Sequence, residues 1–147
     1  MNSKINIKLI NFAKLQFYEV KGDFLMKQKY RAWDIHNNDL LELSGLGFDS
    51  QGEICYLEIE KIPGEFELIS PIGTKIVQST GLRDMYQNEI FIGDIVQVNV
   101  NQEQYMIKEV IWLNGACRVT TFDILDVDLA KKSVVVGNIF ENKELLN

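Results

Sequence analysis

The sequence is poor in the residues from which many catalytic and metal centres are built. Its 147 residues include a single histidine, His36, in a predicted polar turn at residues 36–39. One histidine excludes a multi-histidine metal centre and argues against a histidine-dependent catalytic triad. The glycines also lack the Gly-x-Gly-x-x-Gly and Gly-x-x-x-x-Gly-Lys-Ser/Thr spacings, so no phosphate-cradling loop is predicted.

Cysteine is equally scarce. Cys55 and Cys117 each lie inside an apolar, strand-like run, without a Cys-x-x-Cys pair or a Cys/His cluster. A disulfide framework or a zinc site is therefore not expected. We interpret the two cysteines as buried thiols of a protein in a reducing cytoplasm.

Long apolar runs are missing as well, and the charge has mainly one sign. No run approaches the roughly 20 apolar residues that cross a bilayer, so a soluble protein without a membrane partner is expected. The net charge is −6, and residues 26–147 carry 11 basic and 19 acidic groups, which gives −8. A segment with this negative charge repels phosphate backbones, so nonspecific binding of nucleic acid through a broad surface is disfavoured.

Residues 1–25 differ in kind from the rest and carry four lysines against two acids. One interpretation is an amphipathic helix, because apolar side chains fall at helical spacing: Leu9, Phe12, Ala13, Phe17 and Val20. Another is a translated leader, since Lys21-Gly22-Asp23 can be encoded with the ribosome-binding sequence AAGGAG shortly before the ATG of Met26. On the second interpretation we expect the natural product to begin at Met26.

From Tyr30 onward, turns and alternating polarity predict a mainly β fold. Two β-rich runs flank Asn114-Gly115 in IKEVIWLNGACRVTTF, which predicts a hairpin with a type I′ turn. Gly93-Asp94 opens IVQVNV, where Val96, Val98 and Val100 are expected to share one buried face. Short strands with frequent turns favour a small barrel or compact curled sheets over a parallel α/β fold. The order of Gly-Asp, strand, exposed link, strand, Asn-Gly and strand resembles an SH3-like barrel, here with additional short strands.

Three blocks together resemble the YopX family of phage and prophage proteins. YRAWD begins at Tyr30, TGLRDMYQNEIFIGDIV at Thr80 and VVVGNIFENKELL at Val134, in the order and separation of the family. The resemblance covers roughly residues 27–147, so residues 26–147 are expected to form one YopX-like β-rich domain. It implies a phage or prophage protein of a bacterial host cell and a homo-oligomer, but no reaction, substrate or cofactor.

One turn departs from the family pattern. Where the family commonly has an Asp-Lys-Asn-Gly type turn before Gly-Asp, this chain has Asp84-Met85-Tyr86-Gln87-Asn88, without glycine. We expect Asn88 to adopt the left-handed geometry there, since asparagine tolerates it better than most residues.

The remaining candidate residues are more readily explained by structure than by catalysis. Asp94 is expected to accept hydrogen bonds from turn amides and to set the start of a strand. Gly81, Gly93 and Gly137 are expected in turns or bulges. The acidic residues are expected to be solvated, in a loop or on exposed strand faces: Asp123, Asp126 and Asp128, and Glu58, Glu60, Glu65 and Glu67.

These patterns favour a noncatalytic accessory protein that self-associates and binds a phage or host protein, with no catalytic residues, metal or cofactor. Arg83 and Tyr86 form the candidate binding surface, because Tyr86 lies in a turn where an aromatic ring can remain exposed. The alternative is a nucleic-acid-associated protein of phage replication or regulation that uses Arg83, Tyr86 and nearby lysines. A metal-dependent hydrolase built on scattered carboxylates is the least favoured class.

Overall fold

The computed structural model describes residues 19–20, 23–24, 28–120 and 123–147. The fold is mainly β with a curled half-barrel sheet, which confirms the fold class predicted from the sequence. The amphipathic helix proposed for the first 25 residues falls largely outside the described residues, although Val20 lies in a two-residue strand. The chain divides into two compact units, Met1–Ile76 and Val77–Asn147.

The first unit is built from short antiparallel strands. They are β1 (Glu19–Val20), β2 (Asp23–Phe24), β3 (Tyr30–Asp34), β4 (Asp39–Glu42), β5 (Gly45–Phe48), β6 (Ile54–Ile62) and β7 (Glu65–Ile69). β1 pairs with β2, β3 pairs with β4, and β5, β6 and β7 form a sheet in that order. Its core holds Ala32, Leu46 and Leu57, of which the two leucines are cross-strand partners.

Two residues of strand β6 differ in burial from the expectations drawn from the sequence. Cys55 is exposed, whereas it was expected to be buried. Its neighbours Ile54 and Tyr56 pair with consecutive residues of β5, so Cys55 is the extra residue of a β-bulge and turns away from the core. Glu58 was expected on an exposed face but is only 5% exposed, and it lies opposite Gly45 in the pairing of β5 with β6. The Ser44 hydroxyl donates a hydrogen bond to Glu58 Oε1 over 3.1 Å.

The second unit combines a three-stranded sheet with two hairpins. Strand β8 (Thr74–Arg83) runs into this unit and pairs with β9 (Glu89–Phe91). The other elements are β10 (Asp94–Asn99), β11 (Tyr105–Glu109), β12 (Ile111–Leu113), β13 (Ala116–Arg118), α1 (Val127–Ala130), β14 (Ser133–Asn138) and the 3-10 helix η1 (Lys143–Leu146). β10 lies between β11 and β14, and β12 pairs with β13. The core contains Ile90, Val96, Val98, Val110, Val119, Leu125 and Ala130.

The Asn-Gly turn and the valines of β10 can be compared with the expectations from the sequence. Asn114 and Gly115 have φ values of 52° and 77° and join β12 to β13 as a two-residue turn. Val96 and Val98 are buried, but Val100 is 59% exposed, so the expectation that all three valines share a buried face is wrong. Val100 lies beyond the end of β10, where its N–H bonds to Gln104 and begins the turn to β11.

Among the described residues, no helix is both long enough and apolar enough to cross a membrane. The described part of the chain likewise contains no group of three or more His, Cys, Asp or Glu side chains that could hold a metal ion.

Candidate binding surface

The turn between β8 and β9 is organised around a buried carboxylate. Asp84 has no exposed surface. Its Oδ1 accepts the backbone N–H groups of Tyr86 and Asn88, each over 2.9 Å. Its Oδ2 accepts from the Asn88 side-chain amide over 3.1 Å and from the Val135 N–H over 3.0 Å. One side chain thus closes the turn and attaches it to β14.

The environment of Asp84 favours the ionised form. Burial acts to raise the pKa of this carboxyl, but hydrogen bonds from Val135, Asn88 and Tyr86 together outweigh it and lower the pKa below the ordinary aspartate value. Four donors converge on the two oxygens, three from the turn and one from β14, and together they stabilise the negative charge.

The left-handed residue of this turn is Gln87, with a φ of 70°. The expectation that Asn88 takes that geometry is wrong, because Asn88 instead directs its N–H and its side-chain amide to Asp84. Gln87 therefore occupies the position where glycine would be the least strained residue. The Gln87 carbonyl accepts a hydrogen bond from Arg83 Nη1 over 2.8 Å, which places the guanidinium against the turn.

The fixed turn presents two large side chains to solvent. Tyr86 is 68% exposed and Met85 is 45% exposed. The Met85 N–H donates to the carbonyl of Ser133 over 3.0 Å, so the turn lies against the first residue of β14. The exposed residues Lys131 and Lys132 immediately precede that strand. The structure thus places Arg83 and Tyr86 on one turn and brings two lysines near it in the fold.

Asp94 and Gly93 form the tight connection between β9 and β10. Asp94 is buried, and its Oδ2 accepts the backbone N–H of Phe91 over 2.8 Å. Gly93 has a φ of 86°, and its N–H and carbonyl bond to Val110 and Ile139 respectively. The Asp94 carboxylate and the backbone of Gly93 therefore connect neighbouring backbone segments by hydrogen bonds.

The other predicted structural residues lie at irregularities of the strands. Gly81 lies in β8 between Ser79 and Arg83, where the register with β9 shifts. Gly137 lies in β14, and a Cβ at this position would stand 2.4 Å from Oδ1 of Asn142. A side chain on Gly137 would therefore displace the turn that follows β14.

The histidine and two of the exposed acidic residues make hydrogen bonds within their own turns. His36 is exposed in the turn after Asp34, whose Oδ1 accepts the His36 N–H over 2.9 Å. Asp126 caps helix α1 by accepting the Leu129 N–H over 2.8 Å. Asp123 accepts a hydrogen bond from the Thr120 hydroxyl over 2.7 Å. Each of these groups serves its own local turn.

Most of the chain that forms this β-rich fold matches the model of a known family. A family model described as YopX protein matches residues 29–147, and the chain belongs to this family. The match spans the β8–β9 turn, the Gly93-Asp94 connection and strand β14.

Two solved structures resemble the chain. Protein EF1440 from Enterococcus faecalis is 26% identical, with a TM-score of 0.65 over 84% of this chain and 100% of that chain. Protein yopX from Bacillus subtilis is 20% identical, with a TM-score of 0.56 over 81% of this chain and 98% of that chain, and this likeness shows the fold alone. The search of curated proteins gives no match.

Proposed function

We propose that this protein is a noncatalytic phage or prophage accessory module that acts in the bacterial cytoplasm by self-association and by binding another protein. The observation that carries the proposal is the turn at residues 83–88. It exposes Tyr86 and Met85 on a backbone held by the buried Asp84 carboxylate. Family membership supports the phage or prophage context.

A rigid turn with an exposed aromatic side chain is well suited to protein binding. Tyrosine offers a large contact area with few rotatable bonds, so little side-chain freedom is lost when it is buried. The four hydrogen bonds to Asp84 fix the backbone before any partner arrives, which lowers the entropy cost of association. Tyrosine is also enriched among residues that dominate binding energy at protein interfaces.

The arrangement of the polar groups supports a noncatalytic role. Asp84 and Asp94 are buried and committed to backbone N–H groups, while His36 lies in an exposed turn. A general acid or base must instead reach a reacting group and exchange a proton with it. The proposed activity therefore resides in surface contacts.

Sedimentation equilibrium of the full chain over a concentration series tests self-association. We expect an oligomer at micromolar concentration and a Tyr86→Ala variant that dissociates at least about tenfold more readily, as for a residue that dominates an interface. Trp112→Ala is the matched control, because Trp112 is a similarly exposed aromatic residue, at 63%, on the separate β12–β13 hairpin. A wild-type chain that is monomeric at every concentration would rule out self-association.

A further inference from the structure

The end of the β6–β7 hairpin is an exposed surface that combines apolar and acidic side chains. All nine residues from Glu60 to Leu68 are exposed, and we call this segment the acidic tip. Ile62, Phe66 and Leu68 are 56%, 45% and 58% exposed. The tip carries three glutamates and one lysine, and that lysine, Lys61, forms an ion pair with Glu67.

The β8–β9 turn carries the opposite charge. We call Arg83, Met85, Tyr86, Lys131 and Lys132 the basic turn, since the Met85 N–H bond to Ser133 brings the turn to the residue that follows the two lysines. These three cations are half of the six basic residues in the second unit.

The negative charges near the basic turn are of three kinds. Glu89 lies opposite Arg83 in the β8–β9 pairing, and its Oε1 accepts the Ser79 hydroxyl over 2.6 Å. Asp84 is buried and saturated by hydrogen bonds, so it presents no carboxylate oxygen to a partner. Asp126 and Asp128 are exposed around α1, and the Asp126 carboxylate is engaged in capping that helix. Arg83 donates one hydrogen bond to Gln87, which leaves further guanidinium N–H groups for other acceptors.

We propose that the acidic tip of one copy binds the basic turn of a second copy of this chain. The proposal rests on the self-association proposed above and names its two surfaces. Each surface offers exposed apolar side chains, and their charges are opposite. The lysines and Arg83 of one copy pair with the glutamates of the other, while Tyr86 and Met85 pack against the apolar side chains of the tip.

Charge decides between this arrangement and a contact of like surfaces. Two acidic tips facing each other would bring six glutamates together with two lysines. Two basic turns facing each other would likewise bring the arginine and lysines of one copy close to those of the other. Like charges placed opposite each other disfavour an interface, whereas complementary charges favour the correct pairing and accelerate encounter.

A contact between two different surfaces has a further consequence. After one such contact, one copy keeps a free turn and the other keeps a free tip, so the contact is heterologous and can be repeated. Association therefore continues into a ring or a chain of copies. It also weakens as salt is added, since exposed charges are screened more strongly at higher ionic strength.

Charge exchange tests the proposal with the full-length protein. The acidic-tip variant carries Glu65→Lys and Glu67→Lys, and the basic-turn variant carries Lys131→Glu and Lys132→Glu. Glu60 is left unchanged because its Oε1 accepts the Gly64 N–H over 2.7 Å and supports the hairpin turn. Sedimentation velocity at low salt is expected to show at least tenfold weaker self-association for each variant and recovery in the chain that carries all four substitutions.

The matched control for the acidic-tip variant is Glu103→Lys with Glu144→Lys, which makes the same change in net charge at exposed positions outside both surfaces. We expect this control to associate like the wild type, and circular dichroism to show that all variants fold. A wild-type chain that stays monomeric would overturn both this inference and the proposed self-association. A wild-type oligomer that is indifferent to the substitutions would overturn this inference alone. So would equal weakening by the control, or no recovery in the fourfold variant.

Discussion

The Oδ2 atom of Asp84 accepts the backbone N–H of Val135 over 3.0 Å, across 51 residues of sequence. The Met85 N–H also donates to the Ser133 carbonyl, so the turn bonds to β14 at two points two residues apart. In this pairing the Asp84 carboxylate takes the role that a backbone carbonyl has in a neighbouring strand. The same contact satisfies part of the β14 edge and fixes the position of Tyr86.

The carboxylate of Asp84 is expected to be essential for stability. In Asp84→Asn, an NH2 group replaces one carboxylate oxygen. At the Oδ2 position it faces the Val135 N–H and the Asn88 side-chain amide, and at the Oδ1 position it faces the N–H groups of Tyr86 and Asn88, so donors face donors in either case. We expect the free energy of unfolding to fall by about 3 kcal/mol, as for a buried charged acceptor with several donors. Urea denaturation measures the loss.

Asp34→Asn is the matched control for that substitution. Asp34 similarly accepts the N–H groups of His36 and Asn37, but in an exposed turn where water can replace lost hydrogen bonds. Asp34→Asn is therefore expected to lower the free energy of unfolding clearly less than Asp84→Asn does. If both variants lose the same free energy of unfolding, burial of Asp84 and its contact with Val135 do not add to the stability of the protein.

The pKa of Asp84 also predicts how stability depends on pH. Since this pKa is lowered in the folded chain, the carboxylate contributes stability that is present above the unfolded value of about 3.9. That contribution is lost as the pH falls through the folded pKa. We expect the difference in unfolding free energy between the wild type and Asp84→Asn to narrow on acidification from neutral pH. A difference that stays constant would contradict the lowered pKa.

Replacement of Gln87 by glycine is expected to stabilise the protein. Gln87 has a φ of 70°, a geometry that costs a residue with a Cβ atom about 1 kcal/mol or more and glycine very little. Glycine also has greater conformational freedom in the unfolded chain, which offsets part of this benefit. We therefore expect the free energy of unfolding to rise by up to about 1 kcal/mol. Thermal denaturation measures it, and Gln87→Ala should bring no such gain because alanine retains the Cβ atom.

Gly137 is expected to tolerate no side chain while Asn142 is present. A Cβ would lie 2.4 Å from Asn142 Oδ1 and 2.8 Å from Asn142 Cβ, which are both too close. Gly137→Ala should lower the free energy of unfolding by about 2 kcal/mol, as expected for overpacking. Addition of Asn142→Gly should recover much of that loss, and a double variant no more stable than Gly137→Ala would exclude this contact as the cause.

Local chemistry made much of the fold predictable from the sequence. The Asn114-Gly115 turn lies between two strands because asparagine and glycine both adopt positive φ values at little cost. The start of β10 at Asp94 follows a glycine with a φ of 86°. The exposure of Tyr86 agrees with its position in a turn.

Long-range contacts limited the rest of the prediction. Asp84 was not identified as the centre of the turn, because its contact with Val135 depends on how distant parts of the chain meet. The short spacing of Asp84, Tyr86 and Asn88 did contain a signal for a side-chain-closed turn, which Asp34 and its neighbours also show. Glu58 is buried and accepts a hydrogen bond from Ser44, which precedes the neighbouring strand, and the pattern of β6 alone does not show that contact.

The central claim is that the turn bearing Tyr86 binds protein. The most direct measurement is affinity purification of tagged full-length chain from bacterial cells that carry its native locus, with nuclease treatment and mass spectrometry. Wild type, Tyr86→Ala and Trp112→Ala are compared in parallel. We expect a stoichiometric, nuclease-resistant protein partner with the wild type and Trp112→Ala, and its loss with Tyr86→Ala. Partners that vanish with nuclease, or that remain bound to a folded Tyr86→Ala variant, would contradict the claim.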